Sequence, residues 1–208
     1  MMILQPHIPR KVVFLGILLA FCLVTFPDLV KAAEYLLSSD MLDTESGLNL
    51  TDKNPSVAYN TKRNVYLVVW EGLYNRDSNH PDQTDTEILA AQVSQSEGVL
   101  SRIIIPVSNA GDNDPLRDSF SPSVAYNSTD DQYLVAWHGD APQGGTVALG
   151  EFEIFGQILG YEGNNLVELG THDFQISVQG ETGNPATDAE NPVVVYNSTD
   201  NQYLVAWQ

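Results

Sequence analysis

Residues 121–137 read SPSVAYNSTDDQYLVAW, and the same pattern occurs at 54–70 (NPSVAYNTKRNVYLVVW) and at 191–207 (NPVVVYNSTDNQYLVAW). The first two copies agree at 10 of 17 positions and the last two at 13 of 17. The tryptophans that end the copies are separated by 67 and then 70 residues. Three ungapped copies in register do not arise by chance, so the chain is built from a repeated unit of about 70 residues.

Each copy predicts a β-hairpin. Two runs rich in β-branched and aromatic residues flank a short polar turn, where Asn and Asp tolerate left-handed backbone. The second run is apolar at every position, which is typical of a strand covered on both faces. Aromatic positions such as Tyr59 and Trp70 are therefore expected to pack between sheets, with a sugar-stacking platform as the alternative. The repeated structural residues are Pro55, Tyr59, Tyr66, Trp70, Pro122, Tyr126, Tyr133, Trp137, Pro192, Tyr196, Tyr203 and Trp207.

Two further strands follow the hairpin in each unit. Glu87–Val93 matches Glu153–Leu159 at the same offset, and fourth strands are expected at Arg102–Val107 and Asp173–Val178, after glycine-containing turns. Four antiparallel strands repeated in series predict an all-β, β-propeller-like fold, with each blade buried by its neighbours. Two blades are complete and a third has only its first hairpin, so the predicted ring is incomplete.

The repeat also sets the domain boundaries. Residues 33–54 form an N-terminal strand, which could close the ring, and a linker; 55–121 is blade 1, 122–191 is blade 2, and 192–208 is the first hairpin of a truncated blade 3. Propellers have about 4 to 8 blades, and an unpaired apolar edge strand promotes aggregation. We therefore expect an N-terminal fragment of a longer protein. A ring assembled from several short chains is the alternative.

The first 32 residues are predicted to be an export signal. Arg10 and Lys11 precede an uncharged apolar run at 12–26, and residues 30–32 (VKA) supply small side chains for cleavage. The run is shorter than the roughly 20 apolar residues that cross a membrane. Secretion or display at the cell surface is expected, and anchoring by uncleaved residues 12–26 is the alternative.

The composition excludes several classes of protein. Acidic residues number 27 against 9 basic ones, for a formal net charge of −18. Nucleic acid is excluded as a partner because neutralising phosphates needs clustered Lys and Arg. The single cysteine, Cys22, excludes a disulfide framework. The partner expected instead is an unidentified extracellular ligand, protein or glycan, with no stable membrane span after signal cleavage.

The acidic loops are the candidates for metal binding. Calcium takes six to eight oxygen ligands from carboxylates, amides and carbonyls, which these loops contain. Neither loop follows the EF-hand pattern, so solvated turns are the default interpretation and calcium is a hypothesis. No catalytic residues and no other cofactor are predicted, since zinc-binding and nucleophile motifs are absent from the sequence. The calcium candidates are Asp82, Asp85, Glu87, Asp112 and Asp114.

The pattern P-x-V-x-Y-N … Q-Y-L-V-x-W … G-Q resembles a repeat that occurs in tandem in large secreted bacterial and archaeal proteins, mostly of unknown function. The resemblance covers Ala33 to Gln208; Gly156-Gln157 carries the third-strand motif, where the first blade has Ala91-Gln92. It implies a propeller-like fold and an exported multi-repeat protein, and it transfers no active site. We expect a non-catalytic binding or structural module. The alternative is part of an extracellular polysaccharide hydrolase or lyase whose catalytic residues lie in missing blades.

Overall fold

The computed structural model divides the chain into two compact units, Met1–Thr51 and Asp52–Gln208. Side chains and backbone are described at 52–74, 85–94, 105–110, 116–140, 147, 149–179 and 186–208. The backbone alone is described at 18–25, 29–36, 95–96, 99–101, 104 and 185. Over these residues the protein is all-β, with antiparallel sheets and no α-helix. No helix in this described part is long and apolar enough to cross a membrane.

The first unit contains one antiparallel pair, β1 (Leu18–Thr25) and β2 (Leu29–Leu36). β1 lies within the apolar run of the predicted export signal, and the predicted cleavage point after Ala32 falls inside β2. The candidate ring-closing strand begins at Ala33, so its first four residues belong to β2 and pair with β1. Its remaining three residues, 37–39, lie outside the described part.

The second unit begins with a sheet built from the first copy of the repeat. Its strands are β3 (Lys53–Asn60), β4 (Val65–Tyr74), β5 (Asp85–Ser96), β6 (Val99–Ser101) and β7 (Ile104–Pro106). The order is β3-β4-β5, and both β6 and β7 pair with β5. The fourth strand expected for this blade is therefore divided into two short pieces, which the sequence did not predict.

The second copy forms a four-stranded sheet, and the third forms a hairpin. The sheet contains β8 (Ser119–Asn127), β9 (Gln132–Gly139), β10 (Glu153–Glu162) and β11 (Asn165–Gln175), in the order β8-β9-β10-β11. Glu162 pairs directly with Asn165 across a two-residue turn. The fourth strand therefore starts eight residues earlier than predicted, because Gly163 with φ 65° reverses the chain at once.

The third copy begins after a short 3-10 turn, Pro185–Thr187, and pairs β12 (Val193–Asn197) with β13 (Gln202–Ala206). The three copies are hereafter hairpin 1 (54–70), hairpin 2 (121–137) and hairpin 3 (191–207). The contact between hairpins 1 and 2 is joint 1, and the contact between hairpins 2 and 3 is joint 2.

The turns of the three hairpins share one backbone geometry. An asparagine ends the first strand, and its Oδ1 accepts hydrogen bonds from backbone N–H groups two or three residues further on, which is the turn chemistry predicted from the sequence. Four residues later the chain adopts positive φ, which Asn and Asp tolerate better than other residues. These positions are Asn64, Asp131 and Asn201, with φ of 55°, 59° and 53°.

A second left-handed position precedes the repeated proline. Asn54, Ser121 and Asn191 have φ of 49°, 49° and 52°, and in both complete sheets the pairing register shifts at this point. Proline cannot donate a backbone hydrogen bond to the ladder, so the pair of residues is accommodated as a β-bulge. The repeated proline therefore marks a bend near the start of each first strand.

The apolar core lies between the stacked sheets. One buried cluster joins the first sheet to the second, and two smaller clusters join the second sheet to hairpin 3. The prediction of a second strand covered on both faces is confirmed for β4, where adjacent residues Val68 and Val69 are both buried, and for β9. It is wrong for β13, where Leu204 is 64% exposed because no described sheet packs on that face.

Candidate functional site

The two ends of each sheet are built differently. The hairpin turns and the β10–β11 turn lie at one end, the turn end, where Arg63 Nη1 donates to the carbonyl oxygen of Gly163 at 3.3 Å. In an antiparallel meander the next connections begin at the opposite end. This loop end is marked by the paired residues Tyr74 and Asp85. Any site that spans several blades must therefore use one end or the other.

The densest polar arrangement at the turn end is the turn cluster, which consists of Asn60, Arg63, Tyr126, Asp131 and Tyr161. Asp131 Oδ1 accepts hydrogen bonds from Asn60 Nδ2 at 2.8 Å and from the Tyr126 hydroxyl at 3.0 Å. Its other oxygen pairs with Arg63 Nε at 2.8 Å. The guanidinium carbon of Arg63 lies 3.6 Å from the centre of the Tyr161 ring, which is a cation–π contact. Joint 1 is thus closed by a charged, fully engaged network.

The electrostatics of the turn cluster favour a fixed structure over acid–base chemistry. Burial by itself would raise the pKa of Asp131, but hydrogen bonds from Asn60 and Arg63, with the Tyr126 hydroxyl, outweigh it and lower the pKa. Burial, together with the hydrogen bond to Asp131, raises the pKa of Tyr126 to about 12. Burial also raises the pKa of the Tyr161 phenol. The carboxylate stays charged and the phenols stay neutral near pH 7, so none is poised for proton transfer.

Joint 2 uses the same positions with different side chains. Asn127 Nδ2 donates to Asn201 Oδ1 at 3.0 Å, as Asn60 donates to Asp131 in joint 1. Asn201 Nδ2 in turn donates to Asp130 Oδ2 at 3.1 Å, so no cation takes part at this position. The joint is therefore closed by neutral amides and one carboxylate.

The loop-end side of each joint is closed by the residue that follows the repeated tryptophan. In joint 1, Glu71 Oε2 accepts from the backbone N–H of Ser121 at 2.9 Å. In joint 2, His138 Nδ1 accepts from the backbone N–H of Asn191 at 3.3 Å. This requires a neutral imidazole, and burial lowers the pKa of His138 although nearby carboxylates, with Glu190 the largest contributor, act to raise it. The role is repeated while the residue type is not.

Two glutamates clamp the exit of the fourth strand in each sheet. Glu87, one of the calcium candidates, is buried; it accepts from the Ser108 hydroxyl and from the backbone N–H of Ala110. Glu153 does the same with the Ser177 hydroxyl and with the backbone N–H of Gln179 at 2.5 Å. Each serine hydroxyl also accepts a backbone N–H from the residue after its glutamate. Both carboxylates are therefore engaged within their own sheet.

A second repeated acid was missed by the sequence reasoning. Asp118 Oδ1 accepts from the backbone N–H of Thr86 at 2.8 Å, and Asp188 Oδ1 accepts from that of Phe152 at 3.0 Å. Each aspartate lies four residues before the repeated proline, so extending the aligned copies towards the N-terminus would have found it. These bonds tie the connection between blades to the third strand of the preceding blade.

The other acids at the loop end are not part of the repeat. Asp140 Oδ1 accepts from the backbone N–H of Asp118 at 2.9 Å, and Asp140 Oδ2 accepts from that of Gly150 at 3.2 Å. Arg117 Nη1 donates to the carbonyl oxygen of Asp140 at 2.6 Å. The loop end of the second sheet is thus held by carboxylates that bond to backbone rather than to one another.

The remaining calcium candidates are only partly placed. Asp85 is buried at the start of β5, two residues before Glu87, whereas Asp82, Asp112 and Asp114 lie outside the described residues. Within the described residues no group of three or more His, Cys, Asp or Glu side chains could hold a metal ion. Calcium binding stays a prediction that concerns the acidic loops.

The repeated aromatic residues divide into buried and partly exposed members. Trp70 and Trp137 are buried, whereas Trp207 is partly exposed. Each hairpin pairs its two repeated tyrosines across the strands; Tyr59 and Tyr66, for example, have ring centroids 4.9 Å apart. The hydroxyl of the first tyrosine donates to the left-handed turn residue in every copy. These rings therefore serve both packing and turn closure.

The chain was also compared with known proteins. No protein-family model matches it, and no curated protein matches it. The functional argument therefore depends on the geometry of the chain itself.

Proposed function

We propose that this chain is part of a secreted or cell-surface β-propeller that binds or supports other molecules without catalysing a reaction. The observation that carries the proposal is that the repeated polar side chains bond within the scaffold. Asn60 and Asp131 close a joint, and Glu153 clamps its own sheet. Groups used in this way build the framework, and the residues that differ between blades are left for recognition.

The proposed recognition surface is the loop end. Asp118 and Asp140 hold the backbone there, so that the unrepeated connections begin from fixed positions. The connection 75–84 reads NRDSNHPDQT and carries charged, amide and hydroxyl groups. Such groups suit a hydrogen-bonding ligand, either a glycan or a polar protein surface. Export, with removal of residues 1–32, is part of the same proposal and is supported by the basic, apolar and small-residue pattern of that segment.

A polysaccharide panel tests binding against catalysis. We expect the protein to be retained by at least one soluble polysaccharide in affinity electrophoresis, with no new reducing ends released. Replacing 75–84 by a Gly/Ser segment of equal length should abolish retention. Asp200→Asn, a change at the turn end, is the control that should preserve it. Release of reducing ends would favour the hydrolase alternative, and neither retention nor release would contradict glycan binding.

Mass spectrometry of the N-terminus tests the proposed export. The product recovered from the medium should begin at Ala33 and lack Cys22. A cell-bound product that retains residues 12–26 would contradict cleavage and support the anchored alternative. Adding millimolar calcium to the same product tests the metal prediction: a raised Tm is expected if the acidic loops bind the ion, and an unchanged Tm contradicts it.

A further inference from the structure

Each hairpin has two faces, and the joints always bring unlike faces together. The leading face carries the repeated valine of the first strand, and the trailing face carries the repeated leucine of the second strand. In joint 2, trailing residue Leu134 and leading residue Val194 lie in one buried cluster, with Ala125 beside them. β3 packs against β8 and β8 against β12, so the first strands meet directly at both joints.

Hairpin 1 presents its leading face to solvent along β3. Val57 is 53% exposed, whereas its counterparts Val124 and Val194 are 7% and 5% exposed. Tyr59, on the same face, is 42% exposed. These residues are therefore available for the contact that their counterparts make inside the molecule.

Hairpin 3 presents the complementary trailing face. Leu204 is 64% exposed, whereas its counterparts Leu67 and Leu134 are 0% and 4% exposed. Val195, which corresponds to the buried Ala125, is 52% exposed. One chain thus carries both halves of an interface that it already forms twice within itself.

The polar groups at the turn end are complementary as well. Joint 2 is closed by a hydrogen bond from the trailing Asn127 to the leading Asn201. The exposed trailing residue of hairpin 3 at that position is Asn197, and the exposed leading residue of hairpin 1 is Asn64. Asn64 Oδ1 accepts from the Tyr59 hydroxyl at 2.8 Å, which fixes the amide as in the other copies. The same amide-to-amide bond can form between two chains.

We propose that a second copy of this chain docks the leading face of its hairpin 1 onto the trailing face of hairpin 3, head to tail. A contact of this kind is heterologous, so it propagates into a ring or an open filament. It is weaker than the internal joints because Val193 stands where Ser56 and Ser123 supply a hydroxyl acceptor. The copies also repel each other, since the formal charge is −18, and salt therefore strengthens the contact.

Sedimentation velocity of the full chain with two complementary variants tests the proposal. At about 100 μM protein and about 0.5 M NaCl, where a small interface is populated, the unaltered chain should sediment as more than one copy. Val57→Glu removes the leading face and Leu204→Glu removes the trailing face, so each should weaken association by about tenfold or more. Both positions are exposed, and unchanged circular dichroism checks that the variants fold.

An equimolar mixture of the two variants distinguishes head-to-tail docking from non-specific aggregation. Val57→Glu keeps an intact trailing face and Leu204→Glu keeps an intact leading face, so the mixture should form pairs and nothing larger. Leu116→Glu, at a position as exposed as Leu204, is the control and should associate like the unaltered chain. A single-copy unaltered chain, association in the separate variants, or no pairing in the mixture would each overturn the proposal. The contact rests on the repeat geometry alone, so its failure would leave the binding proposal standing.

Discussion

Joints 1 and 2 are two solutions to the same contact, closed by different chemistry. In joint 1 the acceptor Asp131 takes a hydrogen bond from Asn60 and an ion pair from Arg63. In joint 2 the acceptor is Asn201, which takes the equivalent hydrogen bond from Asn127 and has no cation beside it. The amide donor and the left-handed acceptor position are constant, and the charge is not.

The loop-end closures differ in the same way. Glu71 accepts the N–H of the next copy in joint 1, and His138 does so in joint 2. The comparison teaches that the repeat specifies where a joint is bonded, while the unrepeated residues decide which conditions weaken it. Joint 1 is expected to respond to strong acid through Asp131, and joint 2 to mild acid through His138.

Truncating the repeated leucine should break the joints with the largest effect. Leu67→Ala and Leu134→Ala each leave a cavity in a buried joint and should cost about 2–5 kcal/mol of unfolding free energy. Leu204→Ala is the matched control at the exposed copy and should cost under about 0.5 kcal/mol. Urea denaturation followed by tryptophan fluorescence measures all three. Equal losses at the three positions would mean that the hairpins do not stack as described.

Exchanging the acceptors between the joints should give a smaller loss. Asp131→Asn removes the ion pair with Arg63, and it should cost about 1 kcal/mol. Asn201→Asp removes the amide donor to Asp130 and puts a second carboxylate beside it, again costing about 1 kcal/mol. Chemical denaturation at pH 7 measures both. A stabilising effect of either change would show that the acceptor position does not depend on its neighbours.

Mild acid should weaken joint 2 with the smallest effect. The lowered pKa of His138 means that the folded protein holds the imidazole neutral while the unfolded chain binds a proton below about pH 6.5. This contribution to stability is therefore present above pH 6.5 and is lost as the pH falls below it. Thermal denaturation between pH 7.5 and pH 5 should show the loss, and His138→Gln should reduce it.

His172 supplies the matched control for that experiment. Its side chain is exposed and pairs with Glu168, away from either joint. His172→Gln should leave the dependence of Tm on pH close to that of the unaltered chain. If it flattens the profile as much as His138→Gln does, the mild-acid response does not come from joint 2.

The sequence predicted the parts of the fold that are local. A hairpin depends on strand patterning and on turn residues such as Asn60 and Asn127, which lie within 17 residues of one another in each copy, so the repeat could reveal it. Third strands beginning near Glu87 and Glu153 were also predicted, because the offset from the hairpin is constant. The four-stranded antiparallel sheets follow from these elements.

The clamps could not be found in the same way. Ser108 follows Glu87 by 21 residues, whereas Ser177 follows Glu153 by 24, so no fixed spacing links the partners. The pairing depends on where the fourth strand leaves the sheet, and that is set by turn and bulge geometry rather than by composition. For the same reason Glu87 was considered as a calcium ligand from sequence, although its carboxylate is bonded within the sheet.

Stacking of successive copies in register is the central claim, and amide hydrogen exchange tests it most directly. The hydroxyl of Ser56 accepts the backbone N–H of Val124 at 3.3 Å, and that of Ser123 accepts the N–H of Val194 at 3.0 Å. Ser56→Ala should therefore speed exchange at Val124 and leave Val194 unchanged, and Ser123→Ala should do the reverse. Exchange that changes at both amides in both variants, or at neither, would contradict the account.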